Sequence, residues 1–150
     1  MKEASLCIVK DEKNNRFLMI KHHRGINKGF VNFSGGKKEA CDEDMKACAV
    51  RETKEETGIS ILNPKFVGYM EFPLMDIKVY AFFATEFEGK IKQKEDEVDV
   101  FWQSAEHIPY EKMRAADADF LPEILKGKMV KRRYFYAPDG SLDKIEDISD

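Results

Sequence analysis

The sequence predicts an α+β fold, a mixed sheet with helices on its faces, and three observations predict it. Apolar runs of strand length recur along the chain, several of them partly alternating. Helix signals mark only two stretches, one preceded by the acids 42–44 and one beginning near residue 117. The resulting order is β, β, β, α, several β, α, β. No internal repeat, low-complexity segment or Pro/Gly/Ser-rich linker interrupts it, so one domain over residues 1–150 is expected.

Each element has its own warrant. "SLCIVK" (5–10) and "RFLMIKH" (16–22) flank the polar "DEKNN" and read as a hairpin. "GFVNFSGGKKEACDED" (29–44) reads as a glycine-bearing loop containing a short strand. A helix follows, with Asp42 or Asp44 as its cap, acids crowding its first turn and Gly58 at its C-terminal stop. "KFVGYMEF" (65–72) and "IKVYAFFATEF" (77–87) read as long strands, and "VDVFWQ" (98–103) as a short one. "DADFLPEILKG" (117–127) reads as a second helix, which Pro122 limits to a start near residue 121 or to a kinked form. "VKRRYFYAPDGSLDKIEDI" reads as a hairpin turning at Pro138-Asp139-Gly140.

Composition narrows the partners. A chain of 150 residues with eleven Phe and one Trp can bury one sizeable core. A net charge of −3 gives no electrostatic reason to expect nucleic acid or an anionic membrane. No apolar run approaches span length, and "MKEASLCIVKDEKNN" lacks the features of a signal peptide. Cys7, Cys41 and Cys48 are odd in number, with no CxxC and no paired histidine. Free thiols in a reducing cytoplasm are the plain expectation.

The first helix raises the functional question. Taking Glu52 as zero at about 100° per residue, Met45, Cys48, Ala49, Glu55 and Glu56 all fall within about 60° of it. The stripe begins small and apolar, as a core-facing surface does, and ends wholly acidic. Its acids also sit at the negative end of the helix dipole. Arg51 can pair with Glu55 one turn on, whereas Lys54 points away. A solvated acidic face is the ordinary explanation. Partly buried carboxylates, however, must protonate or be compensated, and a hard divalent cation such as Mg²⁺ compensates them with oxygen coordination.

Gly36, Glu43 and "RETKEETGI" (51–59) resemble the signature of the Nudix hydrolases. Two departures stand out. Six residues rather than five separate Gly36 from Glu43, and Thr53 occupies a usually apolar position. "GFVNFSGGK", "FWQSAEHIPYEKMRAADADFLPEIL" and "YFYAPDGSLDKI" extend the likeness toward the members that hydrolyse oxidised purine nucleoside triphosphates, such as 8-oxo-dGTP and 2-hydroxy-dATP. The resemblance implies an α/β/α sandwich around a mixed sheet.

It also implies roles. Glu52, Glu55 and Glu56 would bind Mg²⁺, or Mn²⁺, with help from the Gly35 carbonyl and from Glu97, while Arg51 would orient Glu55. Asn32 would hydrogen-bond the purine and Asp117 its edge, with Gly36, Lys37, His22 and Ile26 around the substrate. Read without the resemblance, "KEDEVD" around Glu97 is a solvated loop, Asn32 a turn residue and Asp117 a helix cap. "RAAD" (114–117) replaces the family's Trp-Pro-Asp-Asp, so Arg114 either stacks on the base or is exposed.

The chemistry implied is attack by water, deprotonated by Glu56 or else Glu97, giving a nucleoside monophosphate and pyrophosphate from a nucleoside triphosphate. Ordinary dNTPs, a nucleotide sugar and ADP-ribose are alternative substrates, and a ligand sensor without turnover is the non-enzymatic alternative. Three crowded carboxylates argue against the sensor. His22-His23 read as exposed strand-end residues, "KGKMVKRR" (126–133) as a solvated strand, and the chain as a monomer.

Overall fold

The structure is a computed structural model that describes residues 1–92 and 97–148. Four strands come first, β1 (Lys2–Asp11), β2 (Arg16–His22), β3 (Val31–Asn32) and β4 (Ser34–Lys37). They are followed by α1 (Met45–Thr57), then β5 (Ile59–Leu62), β6 (Lys65–Phe72), β7 (Ile77–Ala84), β8 (Glu86–Gly89) and β9 (Val98–Ser104). Last come α2 (Ala115–Leu125), β10 (Val130–Tyr136) and β11 (Leu142–Asp147).

β1 is apolar without interruption from Leu6 to Val9 because both its faces are covered. Cys7 and Val9 face α1 together with Leu18, Ala49, Ile59, Phe82 and Ala84. Leu6 and Ile8 face the other way, toward Phe17, Met19, Phe33, Met70, Ala81 and the α2 residues Phe120, Leu121 and Ile124. The expected hairpin is present, but its arms pair only at Lys10–Phe17 and Asp11–Arg16 before parting. β1 then runs antiparallel to β4 and parallel to β7, while β2 runs antiparallel to β3 and β9. The sheet follows the order β11-β10-β6-β7-β1-β2-β3 and is mixed, as the element order predicts.

Four readings are corrected. The run 77–87 is two strands: β7 ends at Ala84, and β8 leaves the main sheet to pair with β5. β5 itself, four residues directly behind Gly58, has no turn signal of its own and is not read from the sequence. α1 starts at Met45 with Asp44 as cap (Ala47 N–H to its carboxylate, 2.8 Å), so the acids 42–44 precede the first turn. α2 starts at Ala115 and runs through Pro122. The amide that Pro122 lacks would have bonded the carbonyl of Ala118, an exposed residue, while Phe120, Leu121 and Ile124 hold the helix by burial. No helix among the described residues is long and apolar enough to cross a membrane.

Candidate active site

β4 and α1 meet at two glycines. A Cβ on Gly35 would lie 2.1 Å from the Ser5 carbonyl oxygen, and one on Gly36 would lie 2.4–2.6 Å from the Glu52 carboxylate. Only glycine allows the β1 backbone and the Glu52 side chain to come this close. Thr53, the departure from an apolar residue, is fully buried and bonded to Ser34 Oγ at 2.8 Å, fastening the helix to β4. Thr57 donates to the Thr53 carbonyl and accepts from Ile59 N–H, and Gly58 ends the helix at φ 88°. The buried face of α1 is therefore rotated toward Thr53 and Thr57, leaving Glu55 exposed while Glu52 and Glu56 are half-buried.

Arg51 organises the acids. Its Nε and Nη2 donate in a fork to Asp42 Oδ1 and Oδ2, both at 2.8 Å. Its Nη1 reaches Glu52 at 2.9 Å, Glu55 at 3.0 Å and Glu39 at 3.2 Å, and Nη2 also donates to the Lys37 carbonyl. The fork holds the Asp42 carboxyl well below the usual carboxylate range. Burial raises Glu52, against the pull of Arg51. Burial also lifts Glu56 to about 7, although the Gly35 N–H that donates to it at 2.8 Å opposes the rise. Gly35 thus meets this face through its N–H. Lys37 is exposed and meets Arg51 through its carbonyl.

One guanidinium against Asp42, Glu39, Glu52 and Glu55 leaves negative charge in surplus, and Glu56 is desolvated beside it. The donors are all oxygens, the set a hard divalent cation takes. Among the described residues no three acidic, histidine or cysteine side chains already stand at metal-ligand spacing, because Arg51 and the Gly35 amide hold these carboxylates. Glu97 is exposed at the start of β9, fixed through its carbonyl to His23 N–H at 2.8 Å. Residues 93–96, the rest of its acidic run, lie outside the described residues.

The residues expected to read the base fall into two contact groups, one at His22 and Asn32 and one at the start of α2. His22 Nε2 and Asn32 Oδ1 are 2.9 Å apart. Asp117 is buried, accepts the Arg114 backbone N–H at 3.2 Å, and is lifted by burial to about 7. Arg114 is half-buried: its guanidinium lies 3.8 Å from the Phe30 ring centroid and donates to the Ile26 carbonyl and Asn27 Oδ1. The Ile26 side chain itself points outward, 87% exposed. Phe72 stacks between Tyr134 and Tyr136, and the Tyr136 hydroxyl accepts from Ala116 N–H. Sequence reasoning offered Asp42 only as a helix cap and passed over Phe30 and Tyr136; for Asp42 as the partner of Arg51 the extra residue before Glu43 was the available signal. His22 and His23 are half-buried and partnered, His23 with Asp99 at 2.9 Å, not exposed. In the basic stretch, Lys128 pairs with Glu123, Arg132 with Asp119 and Asp147, and Arg133 with Glu71 and Glu146. All three cysteines are free thiols.

Residues 1–124 match the NUDIX domain. The chain belongs to the Nudix family. It is an enzyme, a Nudix hydrolase that cleaves pyrophosphate bonds, and its mixed sheet with two helices is the Nudix fold. It is 29% identical over 154 residues to the oxidized purine nucleoside triphosphate hydrolase of Danio rerio, covering 95% of this chain and 96% of that one. The crystal structure of the MutT protein of Bacillus halodurans superposes with a TM-score of 0.85 at 25% identity, over 97% of both chains. The NAD-capped RNA hydrolase NudC of Vibrio vulnificus is 26% identical over 104 residues, 69% of this chain but only 40% of NudC. In this Nudix hydrolase the motif helix is α1, and the paired glycines of β4 seat it.

Proposed function

We propose that this Nudix hydrolase converts a nucleoside triphosphate, an oxidised purine such as 8-oxo-dGTP, to the monophosphate and pyrophosphate, sanitising the nucleotide pool as a monomer. The observation that carries the reaction is Glu56: half-buried, lifted to about 7, and aimed by the Gly35 N–H beside the Arg51-held Glu52 and Glu55. Its place beside Glu52 and Glu55, fixed by the Gly35 N–H, is what suits Glu56 to take a proton from water at this face. Mg²⁺, or Mn²⁺, held by Glu52, Glu55, Glu56 and Glu97, would neutralise charge on the phosphate oxygens, while Gly35, expected to lend its carbonyl, instead orients Glu56 through its N–H.

Glu56 takes the proton of the attacking water as its oxygen bonds to phosphorus. The bond to the bridging oxygen breaks, and pyrophosphate leaves with that oxygen. Arg51 keeps Glu52 and Glu55 turned toward the same face. At the base, Asn32 and Asp117 supply one amide and one carboxyl whose protonation changes near neutrality, a pair suited to reading donor and acceptor edges of a purine. Full-length likeness to the Danio rerio enzyme supports this substrate class.

The partial likeness to NudC favours a second reading, a nucleoside diphosphate derivative such as NAD⁺ or ADP-ribose. Pyrophosphate and monophosphate release with Mg²⁺ from 8-oxo-dGTP, 2-hydroxy-dATP, the four normal dNTPs, NAD⁺ and ADP-ribose tests both. Preference for an oxidised purine triphosphate is expected. Preference for NAD⁺ or ADP-ribose keeps the chemistry and discards the substrate, and binding without turnover discards the enzyme.

A further inference from the structure

The loop before α1 holds two adjacent acids with opposite surroundings. Glu43 is exposed, and it is the residue that the family's spacing from Arg51 picks out. Asp42, one residue earlier, has a side chain only 3% exposed and receives both teeth of the Arg51 fork. We infer that Asp42, acting through Arg51, is the positioning residue for Glu52 and Glu55, and that Glu43 has no share in that task. The inference rests on reading α1 as the metal-bearing helix.

The geometry runs in one direction. The Asp42 carboxylate is fixed by the Glu39 N–H at 2.9 Å, and the Asp42 N–H bonds the Glu39 carbonyl at 3.0 Å, so residues 39–42 form a tight turn around it. A two-toothed bond to a planar carboxylate fixes the plane of a guanidinium as well as its position. With Nε and Nη2 held on Asp42, Nη1 is the nitrogen that reaches the helix carboxylates, shared between Glu52 and Glu55 and with Glu39 before the helix, while Nη2 also touches Cys48 Sγ at 3.9 Å. Each of those carboxylates therefore receives a single charged contact and keeps oxygens free. Without Asp42, all of the Arg51 fork could close on Glu52 or Glu55 and compete with a cation for them. The six-residue spacing after Gly36 explains the exchange of roles. One extra residue in the loop carries Glu43 outward and brings Asp42 under the helix, where Asp44 still caps the first turn.

The test compares D42N with E43Q in the full chain. Three readouts serve: Mn²⁺ titration without nucleotide by electron paramagnetic resonance, kcat and KM on the best substrate, and the Arg51 Nε–H signal in nitrogen-15 NMR. D42N should weaken Mn²⁺ binding and lower kcat, each about 10–100-fold, the range for partners that orient metal ligands. KM for the nucleotide should move less than about threefold, since substrate contacts are not the ones removed. The protected Arg51 Nε–H should be lost in D42N and kept in E43Q, and E43Q should stay within about twofold of wild type throughout. D42N combined with R51K should lose no more than R51K alone, because Asp42 acts only through Arg51. D42E, which keeps the charge at a longer reach, should recover part of both losses and serves in place of D42N if that variant does not fold. Losses in E43Q equal to those in D42N would overturn the inference. So would a D42N that melts earlier yet keeps Mn²⁺ binding and kcat, or losses that add in the double variant. Failure of wild type to release pyrophosphate from any substrate would sink the proposed function, while Mn²⁺ binding would still decide the role of Asp42.

Discussion

Arg51 and Arg114 each fasten a loop to a helix, one at the end proposed to hold the metal and one at the end proposed to hold the base. Arg51 finds all its partners close in sequence, from Lys37 and Glu39 through Asp42 to Glu55. Arg114 reaches 88 and 87 residues back to Ile26 and Asn27, and lies on Phe30. The first end is an acidic cassette of one loop and one helix, in which spacing dictates contact. The second is assembled by the sheet, which brings β3 beside the start of α2. Chemistry that many substrates share can be encoded locally, whereas the fit to one base has to be collected from distant parts of the chain.

The sharpest way to break this contrast is at the local end. E56Q should lower kcat about 100- to 10,000-fold, the range for removing a positioned base, with the fold intact. A turnover near wild type would pass the role to Glu97. Calorimetry should also show the substitution's other face. Burial lifts Glu56 from its ordinary value to about 7, so the metal-free protein loses stability as pH rises through 7. E56Q should therefore melt higher than wild type at pH 8 and lose that advantage by pH 5.

The two glycines give the next largest effects, and they should separate. In G36A the new methyl meets the far end of Glu52, which can swing away, so activity should fall at least tenfold with little change in melting temperature. In G35A the methyl meets the Ser5 carbonyl oxygen in the neighbouring strand, which cannot swing, and stability should fall by about 2–4 kcal/mol. Equal behaviour of the pair in a thermal melt and a turnover assay would deny Glu52 its place beside Gly36.

How much of this could be read beforehand follows the same division. The acids at 52, 55 and 56 stand out because a helix converts a fixed spacing into a shared face, and Gly58 reads as a stop because glycine takes the left-handed cap conformation without strain. The half-turn of α1 that is truly buried was harder to read. Thr53 and Thr57 look polar in the sequence but are buried with their hydroxyls satisfied by Ser34 and the Thr53 carbonyl. Asp42 was visible as an acid before a helix, which suggested a cap; only the folded loop shows it under Arg51 while Asp44 caps. β5 and the break after Ala84 escaped because a four-residue strand and a change of sheet leave no periodic trace. The stack of Arg114 on Phe30 depends on a long-range pairing that no local pattern encodes.

At the base end, D117N probes a buried carboxyl that the substitution keeps isosteric. Burial moves Asp117 from its ordinary 3.8 to about 7, so the protein binds this proton more tightly folded than unfolded. The corresponding stability is full below about pH 4 and is lost as pH rises through 7. D117N still accepts the Arg114 N–H and should remove that loss, melting above wild type at pH 8 and closing the gap toward pH 5. Glu56 titrates in the same window with the same sign, so the difference between wild type and D117N is the quantity to follow. If the difference is flat with pH, Asp117 keeps an ordinary carboxyl.

The smallest effect belongs to Arg114. R114A loses the stack on Phe30 and the two bonds that hold residues 26 and 27, a partly exposed set worth about 1 kcal/mol. Its stability should drop by about that amount, and KM should rise several-fold with kcat nearly kept, since loosening the 23–30 loop disturbs His22 and Asn32 but not the motif helix. A fall in kcat equal to the fall in kcat/KM would mean that the two ends are coupled. The division between a local catalytic cassette and an assembled base pocket would then give way to one cooperative site.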